Sequence, residues 1–279
     1  MEEPNNTIHL HDGRVLGYAQ YGNAKGPALF YFHGYPGSRL GAKLLVSAAE
    51  QCGSRLLGID RPGIGLSSFQ PDRKILDWPD DVIEFADALN IDQFAVLGLS
   101  GGGPYALACA YKIPERITAC GIVSGLGHPS HLVSIFSKWL PYLLLPILRK
   151  YSSDQQGAKI LLKKVAMSWP EPDRKVLLLP GVLDAMADSL VESLRPGIKG
   201  SAYDAALLGN RNWGFPLQEI AFSKIYAWHG QLDKVISMKS MNVVIQKLPQ
   251  CKVQLFPAEA HLSVLVNYGR QMLTSLMPV

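Results

Sequence analysis

The chain has 279 residues, of which 48% are hydrophobic and 18% are charged. This composition is typical of a folded globular protein and excludes a largely disordered chain. The net charge is only +4 and no long run of Lys and Arg concentrates it, so we expect no nucleic-acid partner.

The cysteine residues and the amino-terminal sequence both indicate the cellular compartment in which the protein is expected. The cysteines are far apart in the sequence and form no CxxC pair, which predicts buried free thiols: Cys52, Cys109, Cys120 and Cys251. The first residues, MEEPNNTIHLHDG, lack the basic start and the apolar stretch of a secretory signal. We therefore expect a cytoplasmic protein. The longest apolar run, 139–148, is about half as long as a membrane-spanning helix and contains two prolines, so we expect no transmembrane segment.

The first predicted elements form a β-hairpin. Two β-like runs, 7–10 and 15–21, flank the sequence HDGR, and Asp-Gly between such runs is a strong hairpin signal. We expect an antiparallel pair at the edge of a sheet.

The next predicted elements alternate between strands and helices. Four continuous apolar runs are separated by segments of helical composition: 28–32, 55–59, 94–99 and 117–123. One of the helices is expected to begin at Asp77, a suitable N-cap residue. Strands that are apolar throughout and alternate with helices predict a parallel sheet that is covered on both faces.

The alternation stops at an insertion. Between 127 and 215 the helix-like segments are broken by prolines, and β-like runs return only at 225–228 and 252–256. We therefore predict an α/β fold with a mostly parallel eight-stranded sheet and helices on both faces. Residues 1–126 and 216–279 would form this core, and 127–215 would form an inserted helical cap.

The run 94–99 leads into a turn with the composition of a catalytic site. Ser100 is followed by three glycines and then by a segment of helical composition. Gly98 and Gly102 complete a GxSxG pattern, in which small neighbours let a strand and a helix pass close to a nucleophilic serine. A structural turn and a phosphate-binding loop are the alternatives for this motif alone. The P-loop lysine is absent and the sequence does not fit GxGxxG, which favours the nucleophile.

A serine nucleophile needs a base and a group that orients the base. Asp233 follows the run 225–228 and His261 follows the run 252–256. Because parallel strands bring their carboxyl ends to one edge of the sheet, both side chains should lie near Ser100. This predicts a catalytic triad. Taken singly, His261 is also compatible with a structural histidine and Asp233 with a helix cap.

Two further carboxylates are candidates for the acid of the triad. Asp184 and Asp204 lie in the insertion, and neither follows a predicted strand, so both are weaker candidates.

The reaction also needs donors for the oxyanion, and backbone N–H groups supply them without reorganisation. Gly101, the residue after the nucleophile, offers one. We expect the second from Tyr35, in the loop after the run 28–32, because Pro36 has no N–H. A plain turn rich in Gly and Pro is the alternative for this loop.

These motifs together resemble the α/β-hydrolases with a helical cap, over nearly the full chain. They are HGYPG at 33–37, DRPGIGLSS at 60–68, GLSGG at 98–102, HGQLD at 229–233 and His261 near the carboxyl terminus. The resemblance is to small intracellular members of this family. It implies that Ser100, Asp233 and His261 are the triad and that Tyr35 and Gly101 form the oxyanion hole.

One motif is shared with another branch of the family. HGxP is similar to epoxide hydrolases and haloalkane dehalogenases, which attack with an aspartate at the turn. Ser100 departs from that pattern, and an alkyl-enzyme ether would not be hydrolysed as an ester is.

We therefore expect a serine hydrolase that cleaves a small ester, thioester or lactone through an acyl-enzyme. No cofactor and no metal are expected. Hydrolysis of a C–C or amide bond, or perhydrolysis, is the alternative on the same triad. A small-molecule receptor with slow turnover is the alternative from another class. The partner is expected to be a small apolar acyl substrate, and the chain a monomer or a homodimer.

The apolar run 139–148 is too hydrophobic to be left in water. We expect part of it to line the acyl pocket, with Phe136, Trp139 or Leu143 directed toward the nucleophile. The alternative is that it packs on the core or at a dimer interface.

Overall fold

The structure, a computed structural model, describes residues 2–125, 136–210, 212–248 and 250–277. Among them one sheet contains eight strands in the order β1-β2-β4-β3-β5-β6-β7-β8. The strands are β1 Glu2–His9, β2 Val15–Gly22, β3 Ala28–Phe32, β4 Arg55–Ile59, β5 Phe94–Leu99, β6 Ile117–Val123, β7 Ile225–Gly230 and β8 Cys251–Phe256. β1 pairs antiparallel with β2, β2 pairs antiparallel with β4, and the other neighbours are parallel. The predicted mostly parallel eight-stranded sheet is confirmed.

The described α-helices are α1 Val46–Gln51, α2 Trp78–Ala88, α3 Gly103–Lys112, α4 Leu140–Tyr151, α5 Gln155–Ala166, α6 Glu171–Leu177, α7 Val182–Ser193, α8 Lys199–Leu208, α9 Met238–Ile245 and α10 Ser263–Leu276. Short 3-10 helices precede α1, α2 and α3, and one precedes β7. The helix predicted to begin at Asp77 is α2, but the Asp77 side chain does not cap it and instead accepts a hydrogen bond from the Lys74 N–H over 2.8 Å.

The central strand β3 is buried on both sides of the sheet. Phe30 and Phe32 belong to a core cluster shared with α2 and α3, whereas Leu29 and Tyr31 belong to a second cluster shared with α1 and α10. Successive strand residues face opposite sides, so a strand that is apolar at every position needs a helix layer on each side. The predicted helices on both faces of the sheet are confirmed.

The hairpin between β1 and β2 closes at the predicted HDGR turn. The Leu10 N–H donates to the Arg14 carbonyl over 2.8 Å, and Gly13 has a φ of +84°. Glycine adopts this left-handed conformation without steric cost, which is why Asp-Gly favours the turn.

Five of the described helices, α4 to α8, lie between β6 and β7, within the segment predicted as the cap. They pack in small clusters around Leu145, Ala158 and Val176 rather than around one large core. Near the end of this segment, Trp213 and Phe215 pack in the core cluster that also contains α3. The predicted start of the cap, residue 127, lies outside the described residues.

The four cysteines are free thiols, as the spacing predicts. Cys109 and Cys120 are buried, whereas Cys52 and Cys251 are partly exposed. Within the described ranges, no helix has the length and apolar content that crossing a membrane requires.

Candidate active site

Ser100 stands at a sharp turn between β5 and α3. It is 8% exposed and has a φ of +50°, a left-handed conformation that costs a non-glycine residue free energy. Such a strained turn presents the serine hydroxyl at the carboxyl edge of the sheet. A Cβ atom on Gly98 would collide with the Gly102 carbonyl, and one on Gly102 would collide with the Phe32 carbonyl. The two glycines therefore permit the close approach on which this turn depends.

Asp233 and His261 form a hydrogen-bonded pair at the ends of β7 and β8. The Nδ1 atom of His261 lies 2.7 Å from the Oδ2 atom of Asp233. The other oxygen, Oδ1, accepts hydrogen bonds from the Val235 and Ile236 N–H groups over 2.7 and 2.8 Å. A carboxylate only accepts, so Nδ1 carries the proton and Nε2 is left as the basic nitrogen.

The backbone around His261 is held from two sides. Its carbonyl accepts a hydrogen bond from the Ser124 hydroxyl, at the end of β6, over 2.9 Å. Its N–H donates to Asp173 of the inserted helix α6 over 3.1 Å. Asp173 also accepts from the N–H groups of Leu262 and Ser263, each over 2.9 Å. Asp173 therefore caps the beginning of α10 directly after His261.

A second histidine lies beside the same carboxylate. The Nε2 atom of His229 is 3.9 Å from the Oδ2 atom of Asp233, and the ring is fully buried. Burial lowers the pKa of His229, although the charge of Asp233 acts in the opposite direction. Neither ring nitrogen has a hydrogen-bond partner among the described residues. His229 is thus a neutral neighbour of the Asp233–His261 pair.

The predicted oxyanion donors, Tyr35 and Gly101, lie next to each other. A Cβ atom on Gly101 would be 3.5 Å from the Tyr35 nitrogen and 3.1 Å from its Cβ atom. A Cβ atom on Gly34 would be 3.5 Å from the Ser100 Cβ atom. The loop after β3 is therefore packed directly against the turn that carries Ser100.

A buried guanidinium supports this loop. Arg61 donates to the His33 carbonyl over 2.6 Å and to the Gly34 carbonyl over 3.3 Å. It also pairs with Asp204 of the inserted helix α8 over 2.8 Å, and both side chains are fully buried. The loop is thereby connected to the insertion through one ion pair.

Asp204 has two more partners, Arg73 at 3.0 Å and the Tyr105 hydroxyl at 2.6 Å. Burial alone would raise the pKa of Asp204, but the charges of Arg61 and Arg73 outweigh burial and hold this pKa below its usual range. Asp204 is therefore an ionised residue of a buried network, and the structure does not bring it to His261.

His33 is neutral in the same network. Burial, and then the charge of Arg61, lower its pKa well below the usual value. Its Nδ1 atom lies 2.8 Å from the Gly34 carbonyl oxygen. Its Nε2 atom accepts a hydrogen bond from the backbone N–H of Arg61 over 3.4 Å. The His33 ring therefore stabilises the loop after β3 by contacts with the backbone groups of Gly34 and Arg61.

A cavity of about 620 Å³ opens at Ser100 and His261. Its apolar walls come mainly from the insertion and the 3-10 helix before α1, with lining side chains that include Leu44, Leu148, Leu161, Leu162, Trp169, Met186 and Leu190. Gly34 and Tyr35 line it beside the serine. A large apolar cavity with a few polar groups at one end suits a small hydrophobic ligand.

The wall of this cavity differs from the one predicted. Phe136, Trp139 and Leu143 are all exposed and do not line it. Helix α4 directs only a narrow stripe, centred on Leu145 and Leu148, toward the rest of the insertion. Leu148 lies five residues beyond Leu143, so it is directed to a different side of the helix.

The sequence matches the alpha/beta hydrolase fold family over residues 27–268. It is 23% identical to the pimeloyl-[acyl-carrier protein] methyl ester esterase of Legionella pneumophila (strain Paris) over 211 residues, which are 76% of this chain and 78% of that protein. It is 29% identical to bifunctional epoxide hydrolase 2 of Sus scrofa over 127 residues, or 44% of this chain. The matched part spans only 22% of the epoxide hydrolase.

Among solved structures, a hydrolase from Pseudomonas aeruginosa PA01 superposes with a TM-score of 0.74. The match covers 97% of this chain and 96% of that chain at 19% identity, and it shows a shared fold.

Proposed function

Since the chain belongs to the alpha/beta hydrolase fold family, we propose that it is a serine hydrolase that cleaves a small ester, thioester or lactone through an acyl-enzyme. The observation that carries this proposal is the Asp233–His261 hydrogen bond of 2.7 Å beside the cavity onto which Ser100 opens. A nucleophile, a base and an orienting carboxylate in that arrangement perform acyl transfer on unrelated folds.

In the proposed first step, the Ser100 hydroxyl oxygen attacks the substrate carbonyl carbon, and its proton passes to Nε2 of His261. The Asp233 carboxylate stabilises the imidazolium that forms. The N–H groups of Tyr35 and Gly101 stabilise the oxyanion. When the tetrahedral intermediate collapses, the leaving group takes the proton from His261 and the acyl-enzyme remains.

In the second step, His261 removes a proton from water, and the hydroxyl oxygen attacks the acyl carbon. Collapse of this intermediate breaks the ester bond to Ser100 and returns the proton from His261 to the serine oxygen. The carboxylic acid product leaves and the enzyme is regenerated. His229, which is neutral and buried, holds no charge that competes with His261 for Asp233.

The apolar cavity supports an acyl group of hydrocarbon character. Leu161, Leu162 and Trp169 of the insertion face it, so we propose that the insertion, 127–215, acts as a cap that sets the size of the substrate. Covering the site would also exclude water, which strengthens the electrostatic interactions inside it.

Ser100 favours an ester over an epoxide as the substrate. An epoxide opened by serine would leave an ether, which has no carbonyl for water to attack. The methyl ester esterase among the relatives supports the same choice, because its match covers most of both chains.

Turnover of a panel of p-nitrophenyl esters, lactones and amides tests the proposal. We expect ester hydrolysis by the wild type, no measurable hydrolysis by Ser100→Ala, and normal hydrolysis by Ser168→Ala. Ser168 also lines the cavity, so it is a matched control. No turnover of any ester by the folded wild type would instead support a receptor.

A further inference from the structure

The outer side of the insertion exposes an unusual amount of apolar surface. The large hydrophobic side chains that stand in water there include Trp139, Tyr142, Leu143, Ile147, Tyr151 and Ile160, which are exposed by 46 to 60%. Helix α4 buries only Leu145 among its residues. Contiguous exposed apolar surface of this kind marks an interaction site rather than an ordinary solvated face.

The same surface concentrates positive charge. Residues 136–168 contain six basic side chains and one acidic side chain, a net charge of +5 against +4 for the whole chain. Lys159 of this set pairs with Asp184. The remaining five make no ion pair with any residue that the structure describes: Lys138, Arg149, Lys150, Lys163 and Lys164. We call these cations and the six apolar side chains the basic apolar face.

We propose that the basic apolar face binds the surface of an anionic lipid bilayer. Trp and Tyr favour the boundary between headgroups and acyl chains, and Leu and Ile enter the apolar side of that boundary. Lys and Arg extend beside them to the lipid phosphates. The protein would lie on the membrane, which agrees with the finding that no described helix can cross it.

A second copy of this chain is a poor occupant for the face. A symmetric dimer would place two surfaces of the same strong positive charge against each other, which is unfavourable.

The apolar side chains of α4 in this set form one stripe. Leu143, Ile147 and Tyr151 recur every four residues and are each more than half exposed, so they lie along one side of the helix. An amphipathic helix that lies on a bilayer presents such a side to the acyl chains.

The basic apolar face lies on the helices that also wall the cavity. The cavity is lined by Leu148 of α4 and by Leu161, Leu162 and Val165 of α5. If the proposed function holds, an acyl substrate dissolved in the bilayer would reach Ser100 past these two helices. The binding itself does not rest on that function.

Co-sedimentation with vesicles tests the binding. We expect the protein to sediment with vesicles of phosphatidylcholine and phosphatidylglycerol in equal amounts, and to remain in solution with phosphatidylcholine alone. Binding should weaken between 0.1 M and 1 M salt, since the Debye length falls from ~10 Å to ~3 Å. Failure to bind the anionic vesicles at low salt would overturn the proposal.

Trp139 supplies an internal probe of the contact. Trp78, Trp213 and Trp228 are buried, whereas Trp139 is 47% exposed. We expect the tryptophan emission to shift to the blue on addition of anionic vesicles, and we expect Trp139→Phe to lose most of that shift. An equal shift in the variant would place the contact elsewhere.

Matched variants separate the two parts of the face. The double variant Lys163→Gln, Lys164→Gln should lower the partition coefficient roughly 30-fold. Each cation near an anionic lipid surface contributes about 1 kcal/mol to the binding free energy, and the variant removes two of them. Leu143→Ser with Ile147→Ser should lower it by ~10-fold or more. The control is the double variant Lys25→Gln, Lys224→Gln, which removes the same amount of charge. These two lysines precede β3 and β7, at the amino-terminal edge of the sheet, so the control should leave binding unchanged.

Thermal unfolding midpoints of all variants report whether they are folded, independently of any hydrolase activity. Equal loss in the control pair would show that only the net charge matters and would overturn the assignment of the face. If the wild type does not bind vesicles but does bind an acidic protein, the partner of the face is a protein instead. Concentration-dependent dimerisation without vesicle binding would identify a second copy.

Discussion

The Asp173 carboxylate, on inserted helix α6, accepts a hydrogen bond from the backbone N–H of His261 at the edge of the sheet. The base of the proposed triad is therefore positioned in part by the insertion. Asp173 is 3% exposed, so water cannot readily replace it as the acceptor.

We predict that Asp173→Ala lowers both stability and kcat. Loss of a helix cap typically costs about 0.5–2 kcal/mol of unfolding free energy, and the released N–H of His261 would allow the imidazole to move. Asp173→Asn retains a capping oxygen and should lie much closer to the wild type. Urea unfolding and ester turnover measure the two effects. If Asp173→Ala reduces stability while kcat is unchanged, Asp173 does not position His261.

We predict that Asp233→Asn lowers kcat on the order of 10⁴-fold, the loss seen for the equivalent change in a serine protease. An amide in place of the carboxylate can donate to Nδ1, which would favour the tautomer that has no basic Nε2. Asp184→Asn is the control, because the Asp184 side chain is half exposed and pairs only with Lys159 among the described residues. A change confined to KM would contradict the role given to Asp233.

The Asp204 network predicts a dependence of stability on pH. The pKa of Asp204 is depressed in the folded state, so its contribution is fully present above the unfolded pKa of about 3.9 and is lost as the pH falls further toward the folded value. We predict that unfolding free energy falls less steeply below pH ~4 in Asp204→Asn than in the wild type.

At neutral pH the same variant should be less stable by about 3–5 kcal/mol, because Arg61 is left buried without its carboxylate. Denaturant unfolding at several pH values measures both effects. Parallel pH curves for the two proteins would mean that Asp204 does not carry the acid dependence.

The cavity wall predicts which residues set acyl-chain preference. Leu161→Ala should enlarge the cavity and change the ratio of kcat/KM between long and short esters by ~10-fold, since each methylene contributes about 1–3 kcal/mol. Leu143→Ala, outside the cavity, should leave that ratio unchanged. The reverse result would restore Leu143 as a pocket residue.

The sequence was sufficient for the sheet because the signals there are local. Continuous apolar runs, a hairpin at Asp-Gly and a GxSxG turn each depend on a few adjacent residues, and the parallel arrangement follows from their alternation with helices. The meeting of Asp233 and His261 followed from the same rule, because parallel strands end at one edge.

The pocket and the supporting contacts could not be predicted in that way. Asp173 and His261 are 88 positions apart, and no local pattern distinguishes this Asp from other acidic residues of the insertion. The composition of 139–148 indicated burial, and that expectation is wrong: α4 buries only Leu145, and Leu143 and Ile147 are exposed. Composition also could not show which side of α4 would face the cavity. Arg61 was within a recognised motif, yet its partner Asp204 lies 143 positions away.

The central claim is that Ser100 carries the acyl group, and the most direct test is to locate it by mass spectrometry. The protein is incubated with a fluorophosphonate or with a slowly hydrolysed ester, digested, and the modified peptide is sequenced. We predict modification of Ser100 in the wild type, none in Ser100→Ala, and strongly reduced modification in His261→Ala, because acylation needs the same base. Modification of Ser67, Ser68 or Ser168 instead of Ser100, or equal labelling of Ser100→Ala and the wild type, would contradict the assignment.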